Sequence, residues 1–248
     1  MLPAHWMDDK ILEQGPLTIA VADVQMMDHE QYALVRKDYF GASDSSILCG
    51  VNLYKTMDEL IKEKNCKYIT DEEKAVGEKA IVRKGYDLEI ITLNKAEMEL
   101  GEAIYKPDHM YKFKHVDGLS VNFDGVLHDT TNQNLIPVEA KLVSKYGEKY
   151  YNKNVTKQDA KTLDMKIEGT DLESHIKRKA TKLGIPAYYY TQVQQQIAGL
   201  NAPYGYLAAM FDETWTFKLF YIPRDNYVIE SIYKLCEAHI GKIKRDTN

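Results

Sequence analysis

"NFDGVLHDTTNQNLIPVEAKLV", residues 122–143, decides how the rest of the chain is read. Leu135, Ile136, Val138, Leu142 and Val143 give its second half the composition of a strand. Successive strand side chains alternate faces, so residues two apart share one. Ile136, Val138, Ala140 and Leu142 then form an apolar face, and Pro137, Glu139, Lys141 and Val143 form the other. A carboxylate and an ammonium side by side on a rigid strand lose hydration if they are buried. Either the strand is half solvated and the pair is an exposed ion pair worth about 0–1 kcal/mol, or the pair performs chemistry. Upstream, "LSVNFDGVL" (119–127) alternates Leu119, Val121 and Phe123 against Ser120, Asn122 and Asp124, the pattern of a half-buried strand. The polar turn "HDTTNQN" joins the two strands into a hairpin with a loop longer than two residues. Pro137 cannot donate to a ladder and belongs at a strand start or an outward-facing edge.

Outward from the hairpin, "DHEQYALVRKDYFGASDSSILCG" (28–50) reads as helix, glycine-containing turn and second helix, with Ser43 or Asp44 as its cap. "KTMDELIKEK" (55–64) is a short amphipathic helix with Met57, Leu60 and Ile61 inward. "DEEKAVGEKAIVRKG" (71–85) is another, predicted to stop at Gly85, and "YDLEIITLN" (86–94) reads as a strand. "LTIAVADVQMM" (17–27) is a candidate strand within an N-terminal extension, residues 1–27. After the hairpin come a basic stretch, the helix "AYYYTQVQQQIAGL" (187–200), the strands "YGYLAAMFD" (204–212) and "WTFKLFYIP" (215–223), and the amphipathic helix "NYVIESIYKLCEAHIGKI" (226–243). This order predicts an α/β single domain with a central mixed β-sheet flanked by helices.

The 248 residues suffice for a substantial core, and 44% hydrophobic with 28% charged residues is ordinary for a globular chain. No apolar run approaches the roughly 20 residues of a membrane span, and the N-terminus lacks the pattern of a signal peptide, so a cytoplasmic protein with no membrane partner is expected. Three distant cysteines (Cys49, Cys66, Cys236) indicate neither a disulfide framework nor a zinc knuckle. The net charge of −5 is uneven. Residues 144–185 hold ten Lys/Arg against six Asp/Glu, leaving +4 there and −9 elsewhere. The segment reads as a solvated charged face or as a DNA-binding arm that includes Lys177, Arg178 and Lys179.

Asp124, with Glu139-Ala140-Lys141 on the return strand, forms a D…ExK arrangement. Hard divalent cations take oxygen ligands, which two carboxylates on adjacent strands supply. A neighbouring lysine can position an attacking water and offset negative charge in the transition state of phosphodiester hydrolysis. The rival Asp117-Gly118 fits the hairpin poorly, and Asp124 before Gly125 could also be plain turn chemistry.

The D-G…E-A-K pattern resembles the PD-(D/E)xK nuclease core, and three further segments are similar to the YqaJ-like viral recombinases, the group that includes phage lambda exonuclease. They are residues 34–64, with Arg36, Ala42-Ser43 and the run Gly50 through Leu60 (G-x-x-x-Y-K-T-x-x-E-L); residues 72–85, in the place of the family's metal-binding glutamate helix; and residues 188–212, with Tyr189, Gln192 and Gln194 in Y-x-x-Q-x-Q. Together they cover roughly residues 28–225. The resemblance implies a restriction-endonuclease-like core over residues 28–248, with 144–185 as a basic insertion or arm. It implies Mg²⁺, with Mn²⁺ as substitute and two ions per site, held by Asp124, Glu139, the Ala140 carbonyl and a helix glutamate. Glu73 fits that last place, with Glu72 and Glu78 as competitors. Catalytic roles fall to Asp124, Glu139, Lys141, Glu73 and Gln192. Arg36 and Ser43 would take a DNA phosphate, with Tyr189 and Gln192 near it and Tyr188 or Tyr190 as base-stacking candidates; the bland alternative is a surface arginine and a helix cap. Gln194 points away from Gln192 and reads as structural.

Three functions remain open: a metal-dependent exonuclease of phage-type recombination on linear double-stranded DNA, a structure- or site-specific endonuclease, and an inactive DNA-binding protein. The resemblance adds 5′→3′ polarity, double-stranded DNA ends as substrate, a single-strand annealing protein as partner and a ring-shaped homo-oligomer.

Overall fold

The hairpin is at the centre of the molecule. The structure, a computed structural model, describes residues 12–13, 15–21, 27, 29–77, 80–164 and 171–244. β5 (Gly125–Asp129) and β6 (Asn134–Val143) pair antiparallel, Gly125 opposite Val138 and Asp129 opposite Asn134. The Asp129 carboxylate closes the loop by accepting from the Thr131 and Asn132 amides, each at 3.1 Å. β6 then runs parallel to β7 (Tyr204–Phe211) from Val138 opposite Tyr206 onward. β8 (Thr216–Pro223) pairs antiparallel with β7, and β2 (Ile104–Tyr105) closes the other edge on β5. The five-stranded mixed sheet has the order β2-β5-β6-β7-β8. Pro137 sits where β6 pairs with β5 alone, before the β7 register begins, so its missing N–H breaks no ladder.

A parallel pair needs a long crossover. Here it contains α6 (Lys145–Glu148), α7 (Lys157–Lys161), α8 (Leu172–Leu183) and α9 (Ala187–Leu200). α9 lies against β6 and β7, and α10 (Asn226–Ile240) packs on α9. A second antiparallel sheet has the order β1-β3-β4, with β1 (Leu17–Val21), β3 (Met110–Phe113) and β4 (Ser120–Val121). Residues 17–21 of the expected N-terminal extension are thus part of the fold: they pair with β3, and Leu17 is buried. The remaining helices are α1 (His29–Arg36), α2 (Ser45–Leu48) behind a 3-10 turn at Ala42–Asp44, α3 (Met57–Lys64), α4 (Asp71–Gly77) and α5 (Ala80–Leu100).

Two expectations need correction. Residues 86–94 are not a strand but the middle of α5, and Gly85 lies inside that helix instead of ending it. Leu88, Thr92, Leu93 and Ala96 are buried while Ile90 and Ile91 are exposed, which is a helical period that a short apolar run disguises. A Cβ on Gly85 would meet nothing within 4 Å, so the glycine occupies an open face and costs the helix about 1 kcal/mol relative to alanine. Nor is 119–127 one strand. Ser120–Val121 joins the small sheet and Gly125 starts the large one, and the chain crosses between them through Asn122, Phe123 and Asp124.

Candidate active site

That crossing places Asp124. A side chain on Gly125 would collide with Ile104 Cγ2 at 2.6 Å and Leu93 Cδ2 at 2.9 Å, so the Asp-Gly pair serves close packing of β5 against α5 and β2. Asp124 is thereby turned toward β6, where its Oδ2 accepts the Ala140 amide at 2.9 Å. The rival Asp117 sits with Gly118 (φ +74°) in the β3–β4 turn, where its carbonyl accepts from Cys236.

Glu139 and Lys141 do share a face. The Lys141 ammonium bonds Glu139 Oε1 and lies 3.7 Å from Asp124 Oδ2. The exposed-pair reading fails at Glu139, which α9 covers and which is only 1% exposed, while Lys141 remains 24% exposed. Gln192 and Gln196, four apart on one helix face, both donate to Glu139: Gln192 to Oε1, and Gln196 to Oε2 at 2.5 Å. The Tyr189 ring lies 5.6 Å from the Lys141 ammonium. Gln195 anchors α9 to the Phe40 and Ser120 carbonyls, while Gln194 bridges the Pro223 carbonyl and the Asp225 amide, the structural part expected of it. Tyr190 is no stacking candidate: it is buried and donates to Asp225 at 2.7 Å, beside His175. Gln196 is not among the residues expected from sequence, although its i+4 spacing from Gln192 was there to find it.

Burial raises the Glu139 carboxyl and Asp124 adds to the effect; together they outweigh Lys141 and its hydrogen bond and push the group up to about 7. Burial alone would lower Lys141, but Glu139 and Asp124 hold it above its ordinary value, so it stays an ammonium. Two close carboxylates held apart only by one lysine and two amides are short of positive charge. Among the described residues no three His, Cys, Asp or Glu gather into a ready-made cage. A two-carboxylate site suits Mg²⁺, which keeps several waters and takes one or two protein carboxylates.

Glu73 is engaged elsewhere. Its carboxylate accepts the Thr70 amide at 2.7 Å while Thr70 Oγ1 accepts the Glu73 amide, the reciprocal cap of a helix start. Lys37 pairs with it at 2.9 Å. Burial would raise its carboxyl, but the Thr70 amide and Lys37 hold it below the usual range. No contact joins it to Asp124 or Glu139 among the described residues. The side chain of Glu72 and all of Glu78 lie outside the described residues.

Arg36 and Ser43 do come together: the guanidinium donates to Ser43 Oγ at 2.8 Å, and both are exposed. The basic stretch divides. Lys177 and Arg178 face outward, Lys177 pairing with Glu173 at 2.5 Å. Lys179 departs from the expected surface contact: it is 0% exposed and donates to the Asp164 carbonyl, because its position falls on the buried face of α8 beside Ile176 and Ala180. Lys166, within the same stretch, lies outside the described residues.

The model of the YqaJ-like viral recombinase domain matches residues 31–199, well over half of the chain. The chain belongs to the YqaJ-like viral recombinase family. The matched span contains every residue of the Asp124–Glu139–Lys141 cluster and runs through the basic stretch. Among solved structures, the alkaline exonuclease LHK-Exo of Laribacter hongkongensis superposes with a TM-score of 0.58 at 17% identity, covering 86% of this chain and 91% of its own. The same protein in complex with dAMP gives 0.57 at 17% identity, over the same shares. At that identity the likeness concerns the fold, and it agrees with a mixed sheet flanked by helices in a single domain. No curated protein matches the chain by sequence. Among the described residues no helix is long and apolar enough to cross a membrane.

Proposed function

We propose that this YqaJ-like chain is a divalent-metal-dependent deoxyribonuclease, an exonuclease that hydrolyses linear double-stranded DNA from its ends in the 5′→3′ direction. One observation carries the reading: the Lys141 ammonium bridges two carboxylates, Asp124 and Glu139, at the junction of β5, β6 and α9. An ornamental ion pair would be solvated on both sides, whereas here the Glu139 carboxylate is buried with two amide partners and Lys141 is 24% exposed. Family membership supports phage-type recombination as the setting.

Asp124, Glu139 and the Ala140 carbonyl would hold Mg²⁺, for which Mn²⁺ is the expected substitute. The bound cation would polarise a phosphodiester oxygen and lower the pKa of a water. Lys141 then orients that water and offsets charge developing on the phosphate. Gln192 and Gln196 hold the Glu139 carboxylate in one orientation. Arg36 and Ser43, already hydrogen-bonded, would bind a terminal 5′-phosphate. Glu73 would join the metal only by giving up its cap and Lys37.

The test is metal-dependent digestion of end-labelled linear duplex beside a closed circle of the same sequence. Release of nucleotides from linear DNA alone supports the reading. Cutting of the circle would instead make the protein an endonuclease, and no cutting with Mg²⁺ or Mn²⁺ would leave a DNA-binding protein.

A further inference from the structure

Next to Lys141 a row of tyrosines has no part in the chemistry above. A cavity of about 310 Å³ opens between α9, the end of β6 and the segment after it, lined by Tyr54, Tyr146, Tyr150, Tyr151, Tyr188 and Tyr189. Tyr189 is also the ring beside the Lys141 ammonium, so the cavity begins at the edge of the carboxylate cluster. A second cavity of about 290 Å³ shares Tyr150 and Tyr188 and extends the cleft past Leu53 and Ile185. Tyr188 lies edge-on to Tyr189 at 4.5 Å between ring centres and to Tyr54 at 6.2 Å.

Three features distinguish this cleft from surplus packing. Tyr54, Tyr146 and Tyr150 are 76%, 85% and 41% exposed, costly for aromatic faces with nothing to cover them. The buried Tyr151 hydroxyl has no hydrogen-bond partner, which for a group in a cavity wall points to a ligand atom. Lys149 lines the first cavity and Lys177, paired with Glu173, the second; neither lining holds a carboxylate, although the chain as a whole is acidic. Aromatic faces, a spare hydroxyl and a lysine in the lining are what an unpaired nucleotide needs: rings for its base, a donor for a polar atom and positive charge for its phosphate. About 310 Å³ is at the small end of the roughly 300–1,000 Å³ of ligand pockets, room for one nucleotide and too little for a duplex.

We propose that the tyrosine cleft binds an unpaired nucleotide of a DNA strand by stacking, next to the carboxylate cluster. The link to a reacting strand rests on the nuclease reading; the stacking site itself does not.

The probe is a single-stranded hexanucleotide carrying one 2-aminopurine, titrated with the full chain in Ca²⁺ buffer, with Mg²⁺-driven digestion of linear duplex measured separately. Stacking on tyrosine should quench the fluorescence. The double variant Tyr54→Ala/Tyr150→Ala should bind at least about tenfold more weakly, in line with the loss of one base–aromatic stack. Tyr54→Phe/Tyr150→Phe keeps the rings and should bind as the parent does, and Tyr146→Ala, at the most exposed ring, gives a second truncation. Absence of quenching in the parent protein, or unchanged binding in both alanine variants, overturns the cleft. Quenching without digestion would remove the nuclease reading and leave the cleft; digestion without quenching does the reverse.

Discussion

Gln196 donates its side-chain amide to Glu139 Oε2 at 2.5 Å, from the helix turn below the one that carries Gln192 to the other oxygen. Each carboxylate oxygen of a buried glutamate is therefore held by a different amide of one rigid helix. Removing either leaves a buried acceptor less satisfied, a loss of about 1–3 kcal/mol. Gln196→Ala should lower the melting temperature only modestly, since Glu139 can take up a proton instead. Metal affinity should fall more at pH 6 than at pH 8, as the less-supported carboxyl titrates higher. Calorimetric titration at the two pH values checks this, and an equal loss at both would detach Gln196 from Glu139 ionisation.

Lys141 and Glu139 should separate in their effects. Glu139→Ala is expected to lose metal binding and cleavage together. Lys141→Ala should retain metal binding while digestion falls by far more than tenfold. A rate within about tenfold of the parent, about 1.4 kcal/mol of barrier, would falsify the catalytic assignment of the lysine.

The raised Glu139 carboxyl has a direction that can be worked out. Its value in the folded protein, about 7, exceeds that of an unfolded carboxyl near 4.5. The folded state therefore holds this proton more tightly. The stability that the group contributes is fully present below about pH 4.5 and is lost as the pH rises through about 7. Metal must displace that proton, so binding should strengthen over the same window. Thermal melts with and without Mg²⁺ at pH 5, 6, 7 and 8 should show the stabilisation growing with pH and levelling off above about 7. A shift independent of pH would contradict it.

Arg36 and Ser43 make a phosphate site only if the phosphate matters. Arg36→Ala should slow digestion of 5′-phosphorylated ends much more than of 5′-hydroxyl ends. Equal slowing of both would reduce Arg36 to a general backbone contact.

Lys177 and Arg178 should behave differently from Lys179. Neutralising the two exposed cations should flatten the dependence of DNA affinity on salt, by roughly one unit of log–log slope for each phosphate that no longer meets a cation. Lys179→Ala removes a buried donor from the Asp164 carbonyl and should lower the melting temperature while leaving that slope in place. The reverse pattern would mean that α8 presents its other face to DNA.

The polar turn, the strands flanking it, the Tyr/Gln helix and the pairing of Glu139 with Lys141 on one face were legible from residues 122–143 and 187–223 alone. The reason is local: strand alternation and helical period are properties of the chain within a few residues. Where competing local patterns were close, the local signal misled. A glycine at 85 and four apolar residues at 88–93 look like a stop and a strand, yet burial of Leu88, Thr92 and Ala96 against the sheet selects a helix. Residue type and spacing single out Asp124 but not its setting, because only the neighbouring Leu93 and Ile104 explain why a glycine must follow it. Residue type likewise marks Lys177–Lys179 as basic without separating the two that face water from the one on the buried face of α8. The chemistry of the cluster was thus written in side-chain types and spacing along two strands. Its burial, the second glutamine on Glu139, the engagement of Glu73 with Lys37 and the tyrosine cleft were decided by packing between segments up to 135 residues apart (Tyr54 and Tyr189), which no local period encodes.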